Sequence, residues 1–416
     1  MRRRLPPALG ERDFALLWSA TLGMRFAEQM LAVAVGWQVY AIRGNPLDLG
    51  LIGLAEFLPL PLLALPAGQL ADRISRKLIT AFGLLISAGI ASALVVVTVH
   101  GARSVWPFFA LAACSGVASA IGWPALGALT PELVPPELLP GAMALRSVAG
   151  QAAVVVGPAA GGLLFAARPE LVYIVAAAIF GCALACVLAL RYESSVREVA
   201  GDAPPGLESL VAGVRFVLRT RMLLGAIALD LFAVLFGGAT ALLPVFARSI
   251  LHVGPVGLGV LRTGPAVGAL VAGVILARRP LRRRAGPTLL TVVAIYGVSI
   301  VVFGLSRWLP LSLAALALGG FVDMISMNIR ATTVALVTPN ELRGRVNAVE
   351  MVFISASNEL GAFESGVVAS LVGTVTAVVA GGIATVAIAL SWTRLFPALS
   401  RMGRLEDLRP EPVAAE

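Results

Sequence analysis

The chain has 416 residues, of which 58% are hydrophobic and 13% are charged, and its mean hydropathy is +0.91. A soluble domain carries about 25% charged residues, so this composition excludes a soluble protein and predicts one that crosses a bilayer many times. The net charge of +9 does not indicate nucleic-acid binding, because the basic residues fall between hydrophobic runs and form no stripe interleaved with aromatic residues.

Hydrophobic runs long enough to cross a bilayer follow one another along the whole chain. We predict twelve membrane spans, numbered 1 to 12 in chain order. They cover residues 14–41, 47–71, 78–99, 104–130, 141–167, 170–191, 222–248, 255–277, 287–306, 309–337, 346–371 and 374–397.

The basic residues between the spans predict the orientation of the chain. Of the 32 Lys and Arg residues, 23 lie in the two termini and the connections 2–3, 6–7, 8–9 and 10–11. Only 5 lie in the connections on the other side, and 4 lie within spans. Because cytoplasmic loops carry the excess of positive charge, we expect both termini in the cytoplasm, and an even number of spans satisfies this.

The longest connection divides the spans into two groups of six. We predict an N-terminal six-helix bundle over residues 1–191, a cytoplasmic linker over 192–221, a C-terminal bundle over 222–397 and a cytoplasmic tail over 398–416. The second part of the linker, LESLVAGVRFVLRTR, has the pattern of a short amphipathic helix, which we expect to lie at the cytoplasmic membrane interface.

The two halves of the chain resemble each other in sequence. At an offset of 204 residues Gly157 matches Gly361 and Gly162 matches Gly366, and at an offset of 205 Arg43 matches Arg248. Internal repeats of this kind are typical of secondary transporters, whose substrate site lies between the repeats.

The connection between spans 2 and 3 reads GQLADRISRKLI. It contains Gly68, Asp72, Arg73, Arg76 and Lys77. It resembles the gating-loop signature of the major facilitator superfamily, G-x-x-x-D-R-x-G-R-K, with Ser75 in place of the second glycine. The resemblance implies that Asp72 ion-pairs with the end of span 11 in the outward-open state and so biases the ratio between two states. The basic residues either take part in this latch or only set the topology.

Span 5 contains the run VVVGPAAGGLLF, which includes the strong helix breakers Gly157, Pro158, Gly161 and Gly162. The glycines let another backbone approach closely, and the proline bends the helix. The run resembles the antiporter motif of the same superfamily, G-P-x-x-G-G, which is associated with exporters. A static helix contact needs only the glycines, whereas the added proline favours a hinge or a sealed contact between the halves.

The resemblance to the major facilitator superfamily covers nearly the whole chain. It implies an all-α polytopic fold with 12 transmembrane helices in two pseudo-repeated six-helix halves. On the segments LVAGVRFVL and LRGRVNAV the sequence is most similar to the drug/proton antiporter-like branch that includes enterobactin exporters and macrolide-efflux proteins. One departure concerns span 4, where many drug–proton antiporters carry an arginine in R-x-x-Q-G. This chain has LAACSGVASAIGWPALG, so a coupling mechanism built on that arginine does not carry over.

Charged residues inside the spans mark a candidate substrate path, because a charge at the bilayer centre costs about 2.5–3.5 kcal/mol or more. Arg25 and Glu28 share one face of span 1, and Asp323 and Arg330 share one face of span 10. In the superfamily, spans 1, 4, 7 and 10 line the cavity. The candidates for proton coupling and the substrate cavity are Glu28, Arg25, Asp230, Asp323, Arg330 and Glu359, and the candidate cavity aromatics are Trp37, Trp123, Phe232 and Phe236.

Each of the candidate acids has a structural alternative. Glu28 either binds a proton or a substrate cation, or forms a permanently charged structural pair with Arg25. Glu359 is either a second such site or a structural hydrogen-bonding group. Arg146 and Glu350 are expected near the cytoplasmic ends of spans 5 and 11, where long side chains reach water easily. Glu364 and Arg262 are expected nearer the outer side, where they are candidates for gating pairs.

The sequence therefore predicts a secondary transporter of the bacterial cytoplasmic (inner) membrane. We expect proton-coupled export of a small amphipathic molecule, such as a drug or a siderophore, by alternating access. The expected partners are that substrate, protons and the lipid bilayer, with the chain acting as a monomer and without nucleic acid. The alternatives are an uptake or lysolipid carrier of the same fold and a non-transporting receptor or scaffold.

An enzyme is not expected from this sequence. It contains no Walker-type phosphate loop and no nucleophile–base constellation. Cys182 and Cys186 lie one helical turn apart and could form a metal pair, but nothing else ligand-like is near them, which favours small buried core residues. We therefore predict no catalytic residue, no metal site and no cofactor.

Overall fold

The computed structural model describes residues 6–63, 74–191, 207–281 and 284–409. Within these ranges it contains long helices at all twelve predicted spans and no strand, which confirms the all-α fold class. The helices are α1 (Arg12–Arg43), α2 (Pro46–Phe57), α3 (Arg76–Val99), α4 (Trp106–Leu129), α5 (Leu139–Ala167), α6 (Pro169–Leu188), α7 (Arg221–Gly237), α8 (Gly254–Arg278), α9 (Ala285–Leu305), α10 (Leu309–Val337), α11 (Arg343–Val372) and α12 (Thr374–Leu395). Further helical turns extend α2 to Leu63 and α7 to Ile250.

Ten of these helices are long and apolar enough to cross a membrane. The other two are α1 and α11, which have 32 and 30 residues and so exceed the bilayer thickness. Their mean hydropathy is lowered by polar residues, among them Arg25 and Glu28 on α1 and Glu350 and Glu359 on α11. The two most polar helices therefore carry half of the candidate cavity residues.

The chain divides into two compact units. Unit 1 consists of Met1–Gly44, Leu51–Pro204 and His252–Thr263. Unit 2 consists of Asn45–Gly50, Pro205–Leu251 and Gly264–Glu416. Each unit thus contains the helices of one half of the sequence together with the first turns of one helix from the other half, α8 in unit 1 and α2 in unit 2.

The core of unit 1 lies among α1, α3 and α6, where Leu17, Leu84 and Phe180 are fully buried. At one end of these helices the hydroxyl of Tyr173 donates a hydrogen bond of 2.6 Å to Oε1 of Gln38. The amide nitrogen of Gln38 donates in turn to the hydroxyl of Thr98, at 3.1 Å. This network satisfies three polar side chains on three different helices, as burial requires.

The linker contains the amphipathic helix that the sequence predicts, at Leu207–Arg219. Part of its apolar face packs against protein, while Val211 and Leu218 stay exposed, so the expected position at the membrane interface stays a prediction. Val217 is buried in a cluster with Leu223 of α7, Val334 of α10 and Val346 of α11. The linker helix thereby belongs to the core of unit 2.

The segment after α12 closes one end of unit 2. The backbone N–H groups of Ala285 and Gly286, at the start of α9, donate to the carbonyl oxygens of Gly403 and Met402 at 2.9 and 3.0 Å. The first N–H groups of a helix have no partner within it, so the C-terminal segment supplies acceptors that α9 lacks. Met402 is buried there.

Candidate functional site

The centre of unit 2 holds a buried ion pair between α10 and α7. Nη1 of Arg330 lies 2.5 Å from Oδ2 of Asp230, and the two side chains are only 7% and 11% exposed. Both residues are candidates from the sequence, and the structure brings them together. A buried pair of this kind is held by mutual attraction against a desolvation cost of several kcal/mol per ion.

Two further carboxylates lie close to this pair. Asp323 on α10 and Glu350 on α11 each interact electrostatically with both Arg330 and Asp230. Asp323 is exposed and Glu350 is half-buried. The Nε atom of Arg330 is buried without a hydrogen-bond partner among the described residues. Three carboxylates therefore share one guanidinium, and two of them remain open to a proton or a cation.

Two small pockets flank Asp230. One has a volume of about 10 Å³, room for about one water molecule, and is lined by Asp230, Arg330, Glu350, Phe353 and Ser357, among others. The other has a similar volume of about 10 Å³, and its lining includes Asp230, Tyr296, Asp323 and Ser326. Because Asp230 lines both pockets, a change in its charge acts on both.

Unit 1 contains a second charged cluster, built around Trp123 of α4. The guanidinium carbon of Arg25 lies 3.3 Å from the centroid of the Trp123 ring, which is a close cation–π contact. Glu28 lies within side-chain hydrogen-bonding reach of the same indole. An indole nitrogen is a donor only, so Glu28 is the acceptor. Arg25 and Glu28, which the sequence predicts on one face of α1, thus contact the same aromatic side chain.

This cluster extends to α2 and to the first turns of α8. Glu56 interacts electrostatically with Glu28 and with Arg262. The hydroxyl of Ser115 on α4 donates a hydrogen bond of 3.3 Å to Oε1 of Glu56. Arg262 therefore has an acidic neighbour within unit 1, while its predicted pairing with Glu364 stays a prediction.

Arg146 has a role that its expected position near water did not suggest. Its guanidinium donates to the carbonyl oxygen of Gly127 at 3.2 Å and to the hydroxyl of Thr130 at 2.8 Å. These groups belong to the last turn of α4 and the residue that follows it. A cation at this end of a helix is stabilised by the helix dipole, so Arg146 fastens α5 to α4.

The glycines of the antiporter-like motif make close backbone contacts. A Cβ atom at Gly157 would lie 2.6 Å from Cβ of Gln29, and one at Gly161 would lie 2.8 Å from Cα of Met30, both on α1. A Cβ atom at Gly162 would lie 2.5 Å from the carbonyl oxygen of Pro255 at the start of α8. Real Cβ atoms do not come so close, so only glycine fits at these positions.

Pro158 lies inside α5, which continues through it. It has no N–H to donate within the helix. The carbonyl oxygen of Val154, four residues before the proline, therefore lacks its usual helical donor. The hydroxyl of Thr263 on α8 donates a hydrogen bond of 3.0 Å to the carbonyl oxygen of the next residue, Val155. The carbonyl of Pro158 itself faces Gly259 of α8. The proline therefore lies in the contact between α5 and the start of α8.

The equivalent contact recurs in unit 2. A Cβ atom at Gly361 of α11 would lie 2.9 Å from the carbonyl oxygen of Val234 on α7. One at Gly366 would lie 3.1 Å from Cα of Gly50 and from the carbonyl oxygen of Pro46, at the start of α2. The glycine repeat at an offset of 204 residues therefore describes the same packing in both units.

The partners of these glycines follow a different offset. Pro46 and Gly50 correspond to Pro255 and Gly259, a difference of 209 residues in each case. At the starts of α2 and α8 the two halves are thus offset by 209 residues, while the match of Arg43 with Arg248 in the preceding helix ends stays a prediction. Helical turns after α7 supply the extra residues.

Three gating-loop candidates, Gly68, Asp72 and Arg73, lie outside the described residues. The other two bind neighbouring helix ends. Arg76 forms a 2.5 Å ion pair with Glu132, just after α4, and Lys77 donates a 2.6 Å hydrogen bond to the carbonyl oxygen of Leu190, just after α6. The oxygen of Ser75 accepts a hydrogen bond from the N–H of Leu78 and so caps α3. This cap is a physical reason for serine where the superfamily signature has glycine.

Glu359 is half-buried on α11 and does not line either pocket. The pocket residues Glu350, Phe353 and Ser357 share one helix face, and Glu359 follows Glu350 by nine residues, about half a turn away. Glu364 lies within hydrogen-bonding reach of the neighbouring Ser365. The role of Glu359 as a second proton site stays a prediction.

Comparison with known sequences identifies the family. A sequence model described as "Transmembrane secretion effector" matches residues 6–411. The chain belongs to this family of the major facilitator superfamily. It is a transporter-type, multi-pass membrane protein.

The relatives of this chain include named efflux proteins. The multidrug efflux pump Tap of Mycolicibacterium fortuitum is 29% identical over 82% of this chain and 85% of its own length. The enterobactin exporter EntS of Citrobacter koseri is 29% identical over 77% of this chain and 76% of its own length. Macrolide efflux protein A of Streptococcus pyogenes is 26% identical over 63% and 65%, respectively. The predicted resemblance to this branch is confirmed.

Solved structures support the same fold. A bacterial homologue of the iron transporter ferroportin superposes with a TM-score of 0.72 over 94% of this chain and 99% of its own, at 17% identity. The nucleoside transporter NupG, as a D323A mutant, superposes with a TM-score of 0.71 over 92% and 100%, at 14% identity. At such identities the likeness concerns the fold, and it confirms the major facilitator fold of the secretion effector.

Two features of the site were missed by sequence reasoning. Glu350 was assigned to the watery end of span 11, yet it lines the pocket of the buried ion pair. The spacing of Glu350, Phe353, Ile354 and Ser357, which marks one helix face, is a signal that identifies it. Tyr296 was not considered; it lines the second pocket, and its hydroxyl donates to the carbonyl of Gly237 at 3.3 Å.

Proposed function

We propose that this protein exports a small amphipathic molecule, drug-like or siderophore-like, in exchange for protons. The observation that carries the proposal is the arrangement of three carboxylates around the single buried guanidinium of Arg330. Its family and its efflux-type relatives support export of a small molecule.

The coupling follows from charge balance in this cluster. Arg330 neutralises Asp230, while Asp323 and Glu350 keep acceptor sites that are accessible. A proton on Asp323 removes its attraction for Arg330, so the guanidinium binds Asp230, and loss of that proton lets the guanidinium turn toward Asp323. Because α7, α10 and α11 each contribute to the cluster, this exchange shifts the relative stability of two helix arrangements. In the resulting mechanism of alternating access, protonation favours one state and substrate binding the other.

The alternatives are less well supported. A receptor or scaffold has no use for the desolvation cost of the buried Arg330–Asp230 pair. An uptake or lysolipid carrier of the same fold needs the same charges. However, the relatives whose names state a direction of transport are efflux proteins and exporters. We further propose a monomer in the bacterial inner membrane with both termini in the cytoplasm, supported by the distribution of basic residues.

The test is transport in proteoliposomes with an imposed pH gradient. We would load a macrolide, enterobactin or a lipophilic cationic dye, which represent the substrate classes of the relatives. Wild-type protein is expected to show gradient-dependent flux of at least one of them. Asp323→Asn is expected to retain substrate binding, but the pH gradient should no longer accelerate its substrate flux.

A matched control separates coupling from general damage. Asp407→Asn makes the same chemical change at an exposed position of the C-terminal segment, and its flux should equal that of the wild type. Gradient-driven flux that Asp323→Asn leaves unchanged would overturn the assignment of the coupling site. No gradient-dependent flux of any of the three compounds by wild-type protein would favour the scaffold.

A further inference from the structure

Arg25 differs from the other charged side chains of unit 1 in what it binds. Arg146 donates to the end of α4, Glu56 accepts from Ser115 and neighbours Arg262, and Glu28 reaches the Trp123 indole. Arg25 rests on the face of the Trp123 ring. Among the described residues its guanidinium has no hydrogen-bond acceptor and no carboxylate at ion-pair distance.

The stacked position leaves the binding groups of Arg25 available. A guanidinium that lies flat on an aromatic ring keeps its five N–H groups in its own plane, away from the ring. These donors form a fork that matches a carboxylate in a bidentate arrangement. The Arg25 side chain is half-buried, so its fork is both accessible and partly shielded from water. Trp123 thus fixes the orientation of an unused anion-binding group.

A second arginine lies near Arg25. Arg146 repels Arg25, while Glu28 attracts it more strongly but forms no ion pair with it. An anion that binds the fork of Arg25 also reduces the repulsion between the two arginines.

We propose that Arg25, held on Trp123, binds an anionic group of the exported molecule, a carboxylate or phenolate attached to an apolar body. This inference rests on the proposed function and specifies its substrate class. The apolar body contacts the surrounding aliphatic side chains, while the fork of Arg25 selects the charged group. The proton-coupling cluster of unit 2 plays no part in this selection.

The test measures binding, without a gradient, to the full-length protein in lipid nanodiscs at pH 7.5. The probes are pyrenebutyrate, its carboxamide and pyrenebutylamine, which share one apolar body and carry an anionic, a neutral or a cationic group. Empty nanodiscs give the partition of each probe into lipid. Wild-type protein is expected to bind the carboxylate about tenfold more tightly than the carboxamide, because hydrogen bonds to a charged group are strong.

The variants assign this preference to Arg25. Arg25→Gln is expected to reduce the tenfold ratio to about one, and Arg25→Lys to leave a part of it, since lysine keeps the charge but loses the fork. Arg103→Gln, an exposed position in the connection after α3, is the matched control and should keep the full ratio. If Arg25→Gln does not fold, the wild-type and Arg25→Lys ratios still decide the question.

Three results would overturn the proposal. They are equal binding of carboxylate and carboxamide by the wild type, tighter binding of the amine, and a ratio that Arg25→Gln leaves unchanged. Tighter binding of the amine would instead identify the Trp123 ring and Glu28 as a cation site. Because no pH gradient is present, failure of proton coupling and failure of anion selection give separate results.

Discussion

The two members of the buried ion pair should differ in what their loss costs. Arg330→Gln leaves Asp230 buried without a cation, and Asp323 and Glu350 then add their repulsion. Breaking a buried pair in this way costs about 3–5 kcal/mol of the free energy of unfolding. Asp230→Asn leaves Arg330 with two carboxylates still nearby, so only one charged hydrogen bond is lost, about 1.5–3 kcal/mol.

Thermal unfolding of purified protein in detergent, followed by size-exclusion fluorescence, measures this difference. Arg330→Gln should lower Tm by roughly 6 °C or more, since 1 kcal/mol corresponds to about 2–4 °C in a unit of this size. Asp230→Asn should lower Tm less. The double variant should be more stable than Arg330→Gln alone, because it removes the carboxylate that was left unpaired. If Asp230→Asn is as destabilising as Arg330→Gln, the surplus carboxylates do not compensate Arg330 and the charge balance is wrong.

Three further predictions concern packing and surface charge. Gly161→Val should severely reduce the yield of folded protein, because a Cβ atom there would meet the backbone of Met30. Gly150→Val, on the same helix but with open space around it, should not reduce the yield, and equal yields of the two variants would contradict the contact. Pro158→Ala should preserve Tm but slow gradient-driven efflux, and unchanged efflux and pH coupling would reduce the motif to packing. Arg76→Ala should lower the free energy of unfolding by less than about 1 kcal/mol, because its ion pair with Glu132 is one-third exposed. A decrease in Tm of more than about 6 °C would show that Arg76 has a larger role.

The helices could be predicted from the sequence because hydrophobic length decides them. All twelve are present, including α1 and α11, whose polar residues lower their hydropathy. The Gly157 and Gly361 contacts were also predictable, since small residues at a regular spacing indicate close backbone approach. Both signals are local in the sequence.

The partners of these residues could not be predicted in the same way. Which backbone meets Gly162 depends on packing between helices distant in the sequence, and the offset changes from 204 to 209 residues between the two sides of the contact. Glu350 was not recognised as a pocket residue because hydropathy gives a span's extent but not the direction of each side chain. The stacking of Arg25 on Trp123 joins α1 and α4, which no spacing rule connects.

The most direct test of proton-coupled export records both fluxes at once. Proteoliposomes with a pH-sensitive dye in the lumen are loaded with a transported compound, and substrate and proton movements are followed in the same sample. The account predicts that protons move opposite to the substrate, and that Asp323→Asn abolishes the proton movement while Asp407→Asn does not. Proton movement in the same direction as the substrate, or substrate flux without any proton movement, would contradict it.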